Sequence, residues 1–391
     1  YLRSLAGGWR MIGWDWLTEV DYDWRFILRV IAKAALAFIV INLLFALCNL
    51  TWWVNQISIY NGLVPGRERL PYGEQADTYN LTLDSLDAMF ASHVINRPKA
   101  ENEFRVVVIG DSSVWGVLLD NDQTLVGQMN ALDLQMADNH YVFYNLGYPT
   151  LSVLKDLLIL ERAMQYQPDA VMWLITPESL HRPRLLDAPL VQRNADATRS
   201  LIEQYGLSID PNDERFFPGP DFFGRTIMGQ RRELADWWRL QLYGFAWGVT
   251  GIDHVNTAYD PLTNDFSEDV SWQGLTPDDD LEANLALDVL YAGRAMTEQA
   301  GIPLYVVSEP IYIADGANSD LHYNIWYPRW VIDRYQAIMA TQADNFANGY
   351  TFPFDMILPE HFTDSPVHMD PQGTSQFAGA ISGWMLGVMF P

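Results

Sequence analysis

The sequence predicts an α/β fold: a three-layer α/β/α sandwich around a five-stranded parallel sheet, preceded by one transmembrane helix. Three observations lead there. A long apolar run lies near the N-terminus, short Val- and Ile-rich runs alternate with helix-length amphipathic stretches after residue 104, and 391 residues at 49% apolar and 13% aromatic suffice for a full core. That composition also argues against disorder.

From the N-terminus, "WRMIGWDWLTEVDYDW" interleaves Trp9, Trp14, Trp16 and Trp24 with acidic residues. Such a segment, taken as residues 1–25, suits a helix lying at the lipid headgroup level or a docking face for a partner helix. The first residue is Tyr1 rather than Met, so further residues are expected upstream. Residues 30–50 are 21 residues interrupted by Lys33 and Asn42, with Asn49 near the end, about the length that crosses a hydrocarbon core, and Trp52 and Trp53 follow at the interface end. The transmembrane element is therefore placed at 26–54. A buried core helix fits this length less well, and no small-x-small site follows to mark a cleaved signal peptide. Arg3, Arg10, Arg25, Arg29 and Lys33 precede or enter the span, whereas only Arg67 and Arg69 follow closely. The expected topology is a single-pass protein of the cell membrane, N-terminus cytoplasmic and large domain extracytoplasmic.

The lone cysteine, Cys48, excludes an intramolecular disulfide and a thiolate metal cluster, and Leu47 before it is wrong for lipoprotein processing. Asp and Glu total 49 against 24 Lys and Arg, a net charge of −25, so nucleic acid is not an expected partner. Residues 55–103 read as a linker, punctuated by Pro and Gly and containing the formal glycosylation sequon Asn80-Leu81-Thr82.

The main domain is expected over 104–391. Strands are expected at 104–109, 141–146, 170–175 and 302–308, with a weaker fifth at 350–356; helices are expected over 124–138, 152–165, 281–300 and 329–346. Thr276-Pro277-Asp278 reads as an N-cap with Pro at the first helical position, which accounts for the acidic run 278–280. In a parallel sheet the loops beyond the strand C-termini share one rim, and there the chain places "GDSS", "NLGYPT", "TPES" and "SEPIY". The first is a plain βα turn capped by Asp111 or Ser112, or a serine held at a helix start facing an oxyanion. A fifth candidate, "HFTDSPVHMDPQG", arrives from the C-terminus.

Gly110-Asp111-Ser112-Ser113, Asn145-Leu146-Gly147 and Asp364…His368, in that order, resemble the blocks of the SGNH (GDSL-type) hydrolase superfamily, and the span adds a resemblance to its membrane-anchored acyl-transfer and esterase-like members. The resemblance covers about residues 104–391. It implies a flavodoxin-like strand order, Ser112 as nucleophile, His368 as base and Asp364 as the carboxylate that orients the imidazole. It also implies an oxyanion hole from the N–H groups of Ser112 and Gly147, with the Thr176 hydroxyl as a third donor in place of the usual Asn. No cofactor or metal is implied. His361, Asp364 and His368 could as a set ligate a metal, but the base role asks less.

Two departures stand out. The usual Gly-x-Asn-Asp block is replaced by Thr176-Pro177-Glu178-Ser179, where a charged Glu178 would repel an oxyanion, and one extra residue separates Asp364 from His368. An insertion over about 182–275 carries Trp237, Trp238, Tyr243, Phe245 and Trp247, expected as the aromatic core of a subdomain or as a lipid- or glycan-facing platform. The expected activity is a serine esterase or O-acyltransferase acting on an extracytoplasmic acyl ester or envelope glycan. The alternative is a degenerate accessory subunit of a larger membrane complex, respiratory or photosynthetic. Lipid and integral membrane subunits are expected partners, because Lys33 and Asn42 within the span call for a covering neighbour.

Overall fold

The computed structural model describes residues 23–136, 138–252, 258–342, 349–351 and 353–389. Trp9, Trp14 and Trp16, and the end of the helix expected over 329–346, lie outside them. The chain forms two compact units, Tyr1–Thr51 with Pro220–Leu234, and Trp52–Gly219 with Ala235–Pro391.

In the first unit, helix α1 (Trp24–Cys48) is long and apolar enough to cross a membrane. Asp23 caps it by accepting from Phe26 N–H at 2.7 Å, and Asn49 ends it in the left-handed conformation. Most of its apolar side chains are exposed, Leu36 at 62% and Phe38 at 53%, whereas a soluble core helix would bury one face. Asn42 is covered by this same chain: its amide donates to Phe38 O at 2.9 Å, and its Oδ1 accepts from Met228 N–H at 3.3 Å.

The second unit holds strands β1 (Glu103–Ile109), β2 (Gln135–Met136), β3 (Asn139–Asn145), β4 (Ala170–Ile175), β5 (Leu304–Ser308) and β6 (Gly349–Thr351), in the order β2-β3-β1-β4-β5-β6. The pairs β3–β1, β1–β4, β4–β5 and β5–β6 are parallel, and β2 is antiparallel to β3. The sheet is thus mixed, a correction to the expected all-parallel one. Its cause is local: the helix expected over 124–138 stops at Ala131, Asp133 turns the chain at φ +47°, and the returning residues pair with Asn139 and His140. The strand expected over 350–356 does not reach its end: Pro353, which has no N–H for a ladder, precedes a 3-10 turn over Phe354–Met356.

Helices α2 (Ser112–Trp115), α3 (Leu125–Ala131), α4 (Val153–Ala163), α5 (Pro177–Leu180), α6 (Leu287–Ala300), α7 (Arg329–Gln342) and α8 (Pro371–Met389) connect or follow the strands. β1 alternates strictly: Val106 and Val108 pack with Leu125, Met129, Phe377 and Ile381 of α3 and α8, and Val107 and Ile109 pack with the cluster holding Leu157, Leu290 and Tyr335 of α4, α6 and α7. Both faces are therefore covered, which is why the central strands read as continuous apolar runs. The helix expected over 281–300 breaks after Asn284 and resumes at Leu287; Asp280, not Thr276, caps its first turn by accepting from Ala283 N–H at 3.2 Å, while Thr276 bonds Asp279.

The segment expected as a linker, 55–103, is instead built into the core. Tyr60, Leu81, Met89 and Phe90 are fully buried, and Arg69 is buried with Nη1 donating to Gly116 O and Leu119 O at 3.0 Å each. Pro and Gly here mark tight turns of a packed strap rather than a free tether. Asn80 is 2% exposed with its amide nitrogen on Thr78 Oγ1, so the sequon is not presented as a surface acceptor. In the insertion, Arg231–Thr250 is one helix; Trp237 and Trp247 are buried, Trp237 donating to Ile57 O at 3.0 Å, whereas Trp238 is 58% exposed.

Candidate active site

Strand β1 ends at Ile109, and Asp111 caps α2 by accepting from Ser113 N–H at 3.1 Å. The cap is supplied by Asp111, so the hydroxyl of Ser112, the first helical residue, has no capping duty. It lies 2.7 Å from His368 Nε2. On the other side of the ring, His368 Nδ1 lies 2.8 Å from Asp364 Oδ1. The structure thus brings together three residues separated by up to 256 positions.

The turn carrying the acid and the histidine absorbs its extra residue. Thr363 N–H donates to His368 O at 3.0 Å, Val367 N–H to Ser365 Oγ at 3.2 Å, and Pro366 O accepts from Tyr312 N–H at 2.7 Å. Thr363 Oγ1 adds a bond to Asp364 Oδ1 at 3.2 Å. The bond from His368 is the main reason the Asp364 carboxyl is held below its ordinary range, which keeps it a carboxylate facing an N–H. His361 does not join this group; its Nδ1 lies 3.1 Å from Asp370 Oδ2. Among the described residues no cluster of three or more His, Cys, Asp or Glu side chains could hold a metal ion.

The loop after β3 is placed differently from what the resemblance implies. Gly147 N–H donates to Asn145 Oδ1 at 3.1 Å, and Asn145 Nδ2 donates to Val114 O at 2.8 Å. A Cβ at Gly147 would meet Trp115 N at 2.4 Å, so glycine is required here for the close approach of this loop to α2. Thr176 is a cap as well: its hydroxyl accepts from Ser179 N–H at 3.2 Å, and Ser179 Oγ accepts from Thr176 N–H at 3.1 Å. Glu178 is buried and turned to Gln273, whose amide donates to both carboxylate oxygens at 3.0 Å, with Arg184 at 3.4 Å; burial raises its pKa.

Two charged residues lie behind the serine corner: Lys155, which the sequence did not single out, and Glu309, present there only within the rim loop "SEPIY". Lys155 is fully buried, forms a 2.5 Å ion pair with Asp156, and donates to Gly110 O and Tyr148 O at 2.8 Å each. One ammonium therefore ties the loop leading to Ser112 to the loop leaving Gly147. Burial pushes Asp156 up to about 6 despite the adjacent Lys155. Glu309, from "SEPIY", is also fully buried, and burial together with the nearby Asp111 pushes its carboxyl well above the ordinary range. Ser113 Oγ lies 2.8 Å from Glu309 Oε1 and 3.2 Å from Asp111 Oδ1. A hydroxyl has one hydrogen, so a protonated Glu309 completes the chain by donating to Ser113, which donates to the Asp111 carboxylate. The only signal for either residue was its type: a charge inside or just after an apolar run. Beside His368 lies a cavity of about 20 Å³ lined by Ser113, Leu125, Leu174, Glu309, Val367 and Phe377, among others.

No family model and no curated protein matches the sequence. Among solved structures the chain is similar to a carbohydrate acetylesterase from Sinorhizobium meliloti, at 11% identity and a TM-score of 0.31 over 73% of this chain and 99% of that one. It is also similar to an alpha/beta hydrolase from the metagenome of Lake Arreo, at 14% identity and 0.25 over 74% and 97%. A possible lipase from Chitinophaga pinensis matches at 11% and 0.27 over 73% and 99%.

Proposed function

We propose that the protein is a serine esterase or O-acyltransferase of SGNH type, anchored by α1 in the cell membrane with its N-terminus cytoplasmic and its α/β body outside. The observation that carries this reading is the continuous relay Asp364–His368–Ser112, with both ring nitrogens engaged at 2.8 and 2.7 Å. In this reading His368 Nε2 takes the Ser112 proton as Oγ attacks an acyl carbonyl, and the Asp364 carboxylate stabilises the imidazolium. Collapse of the tetrahedral adduct expels the alcohol, which receives that proton. Water or an acceptor hydroxyl, deprotonated by the same histidine, then releases the acyl group from Ser112. The substrate class is an acyl ester, on a small molecule or an envelope glycan. The oxyanion donor best placed is Ser112 N–H. Gly147 would serve only after giving up its present bond, which predicts a modest rate, since a missing donor costs roughly 10²–10³, whereas Thr176 accepts in its bond with Ser179 and keeps its hydroxyl proton.

A fluorophosphonate tests the reading, because only a deprotonatable serine displaces fluoride from phosphorus. Covalent labelling of the full chain at Ser112, abolished in Ser112→Ala, is the expected result, with short-ester turnover falling by on the order of 10⁶ in that variant. No labelling and no turnover in folded protein would leave the accessory-subunit role as the better account.

A further inference from the structure

We propose that the insertion provides a second membrane-contacting element, the segment 221–230, whose phenylalanines enter lipid beside the span. This rests on the reading of α1 as a membrane anchor. The segment belongs to the same compact unit as α1. Met228 N–H donates to Asn42 Oδ1 at 3.3 Å, and Gln230 Oε1 is hydrogen-bonded to the Thr51 hydroxyl. Asn42 lies six residues before Cys48, the last residue of α1. At 1.5 Å of rise per residue, Met228 therefore sits about 9 Å below the end of the helix, inside the apolar stretch rather than above it.

Two features of the segment suit that depth. Phe223 is 67% exposed, Phe222 46% and Met228 43%, an apolar cluster that water disfavours and acyl chains accept. Several backbone donors are satisfied within the unit, as lipid favours: Gly224 N–H goes to Asp221 Oδ1 at 2.6 Å, Arg225 N–H to Asp221 O at 3.1 Å, Thr226 N–H to Phe223 O at 3.0 Å, and Gly229 N–H to Thr226 Oγ1 at 3.1 Å. The guanidinium of Arg225 lies 5.9 Å from the Phe222 ring, a pairing that lets its stem cover apolar surface while the head reaches the interface. A span partnered by a turn-rich apolar wedge resists rotation and tilt better than a lone helix.

The test uses the full chain with Cys48→Ser, reconstituted into phosphatidylcholine vesicles whose acyl chains are brominated. An environment-sensitive fluorophore is attached at one new cysteine, Leu36→Cys in the span, Phe223→Cys in the wedge, or Asp196→Cys on the exposed face of another helix. Strong quenching is expected at Leu36, none at Asp196, and loss of roughly half the emission at Phe223, as for a side chain seated ~5–10 Å into the headgroup–acyl boundary. Asn42→Leu, which removes the acceptor for Met228 N–H, should lower quenching at Phe223 and leave Leu36 unchanged. Quenching at Leu36 with Phe223 as bright as Asp196 overturns the wedge alone. No quenching at either overturns the anchor and the wedge together, and quenching at Phe223 without Leu36 overturns the span and with it a wedge seated beside it.

Discussion

Two corners of the molecule are built to one plan and end with opposite chemistry. β1 and β4 are adjacent parallel strands, and each is followed by a capping residue and a four-residue helix, Ser112–Trp115 or Pro177–Leu180. After β1 the cap is a carboxylate, Asp111, and the serine behind it is left to meet His368 at 2.7 Å. After β4 the cap is the hydroxyl of Thr176 itself, and Ser179 Oγ returns the bond by accepting from Thr176 N–H and donating to Thr176 O at 2.9 Å, so both hydroxyls are engaged in holding their own turn. A hydroxyl at a helix start keeps all its hydrogen-bonding capacity for chemistry when another residue does the capping. The difference between the corners is a matter of one residue's offset, not of residue type.

Four expected outcomes press on that comparison. Asp364→Asn should act on the β1 corner alone, lowering the fluorophosphonate labelling rate by on the order of 10⁴ with little change in stability, because the neutral amide no longer holds the imidazole as acceptor and donor in the needed sense. Retained labelling would mean that His368 does not serve Ser112 as a base. Lys155→Met should cost about 3–5 kcal/mol in urea unfolding, since it strands the buried Asp156 and frees two carbonyls that join the loops on either side of the site. A loss under about 1 kcal/mol would show that the ammonium is dispensable to the corner. Thr176→Ala should cost about 1 kcal/mol, the usual worth of an N-cap, and should change labelling at Ser112 by a few-fold at most. A 10²-fold drop would restore Thr176 as an oxyanion donor.

The smallest effect concerns pH. Glu309 has a folded pKa raised above its unfolded value, so the folded state binds the extra proton. That contribution is complete below the unfolded value of about 4.3 and is lost as pH rises toward the folded value. Glu309→Gln should therefore flatten the decline in urea midpoint as pH rises above the ordinary carboxylate range. Equal slopes in the two proteins would mean that Glu309 is ionised in the native state.

Much of the frame was legible in the residues. The strand at 170–175 is found where its apolar run lies, because a buried strand between two covered faces has no choice of register with water. Thr124 and Ser152 cap their helices as their types suggest. Failures occur where a competing local interaction wins. The helix over 124–138 lost seven residues to a hairpin, and the helix start at Thr276 lost to Asp280. The segment 55–103 looked loose because Pro and Gly punctuate turns and tethers alike, and only contacts such as those of Arg69 with Gly116 and Leu119 tell them apart.

Composition and spacing by themselves determined an acidic α/β protein with one apolar helix ahead of it, because apolar periodicity and cap chemistry are properties of neighbouring residues, and the resemblance of three short blocks to a known superfamily named Ser112, Asp364 and His368 as candidates. Only the tertiary structure decided that His368 meets Ser112 rather than Asp370, that the Gly147 N–H is given to Asn145, and that Glu178 turns to Gln273. Those choices depend on which groups a folded chain leaves within about 3 Å of one another across long separations, and a hydrogen bond of that length carries no trace in the local sequence.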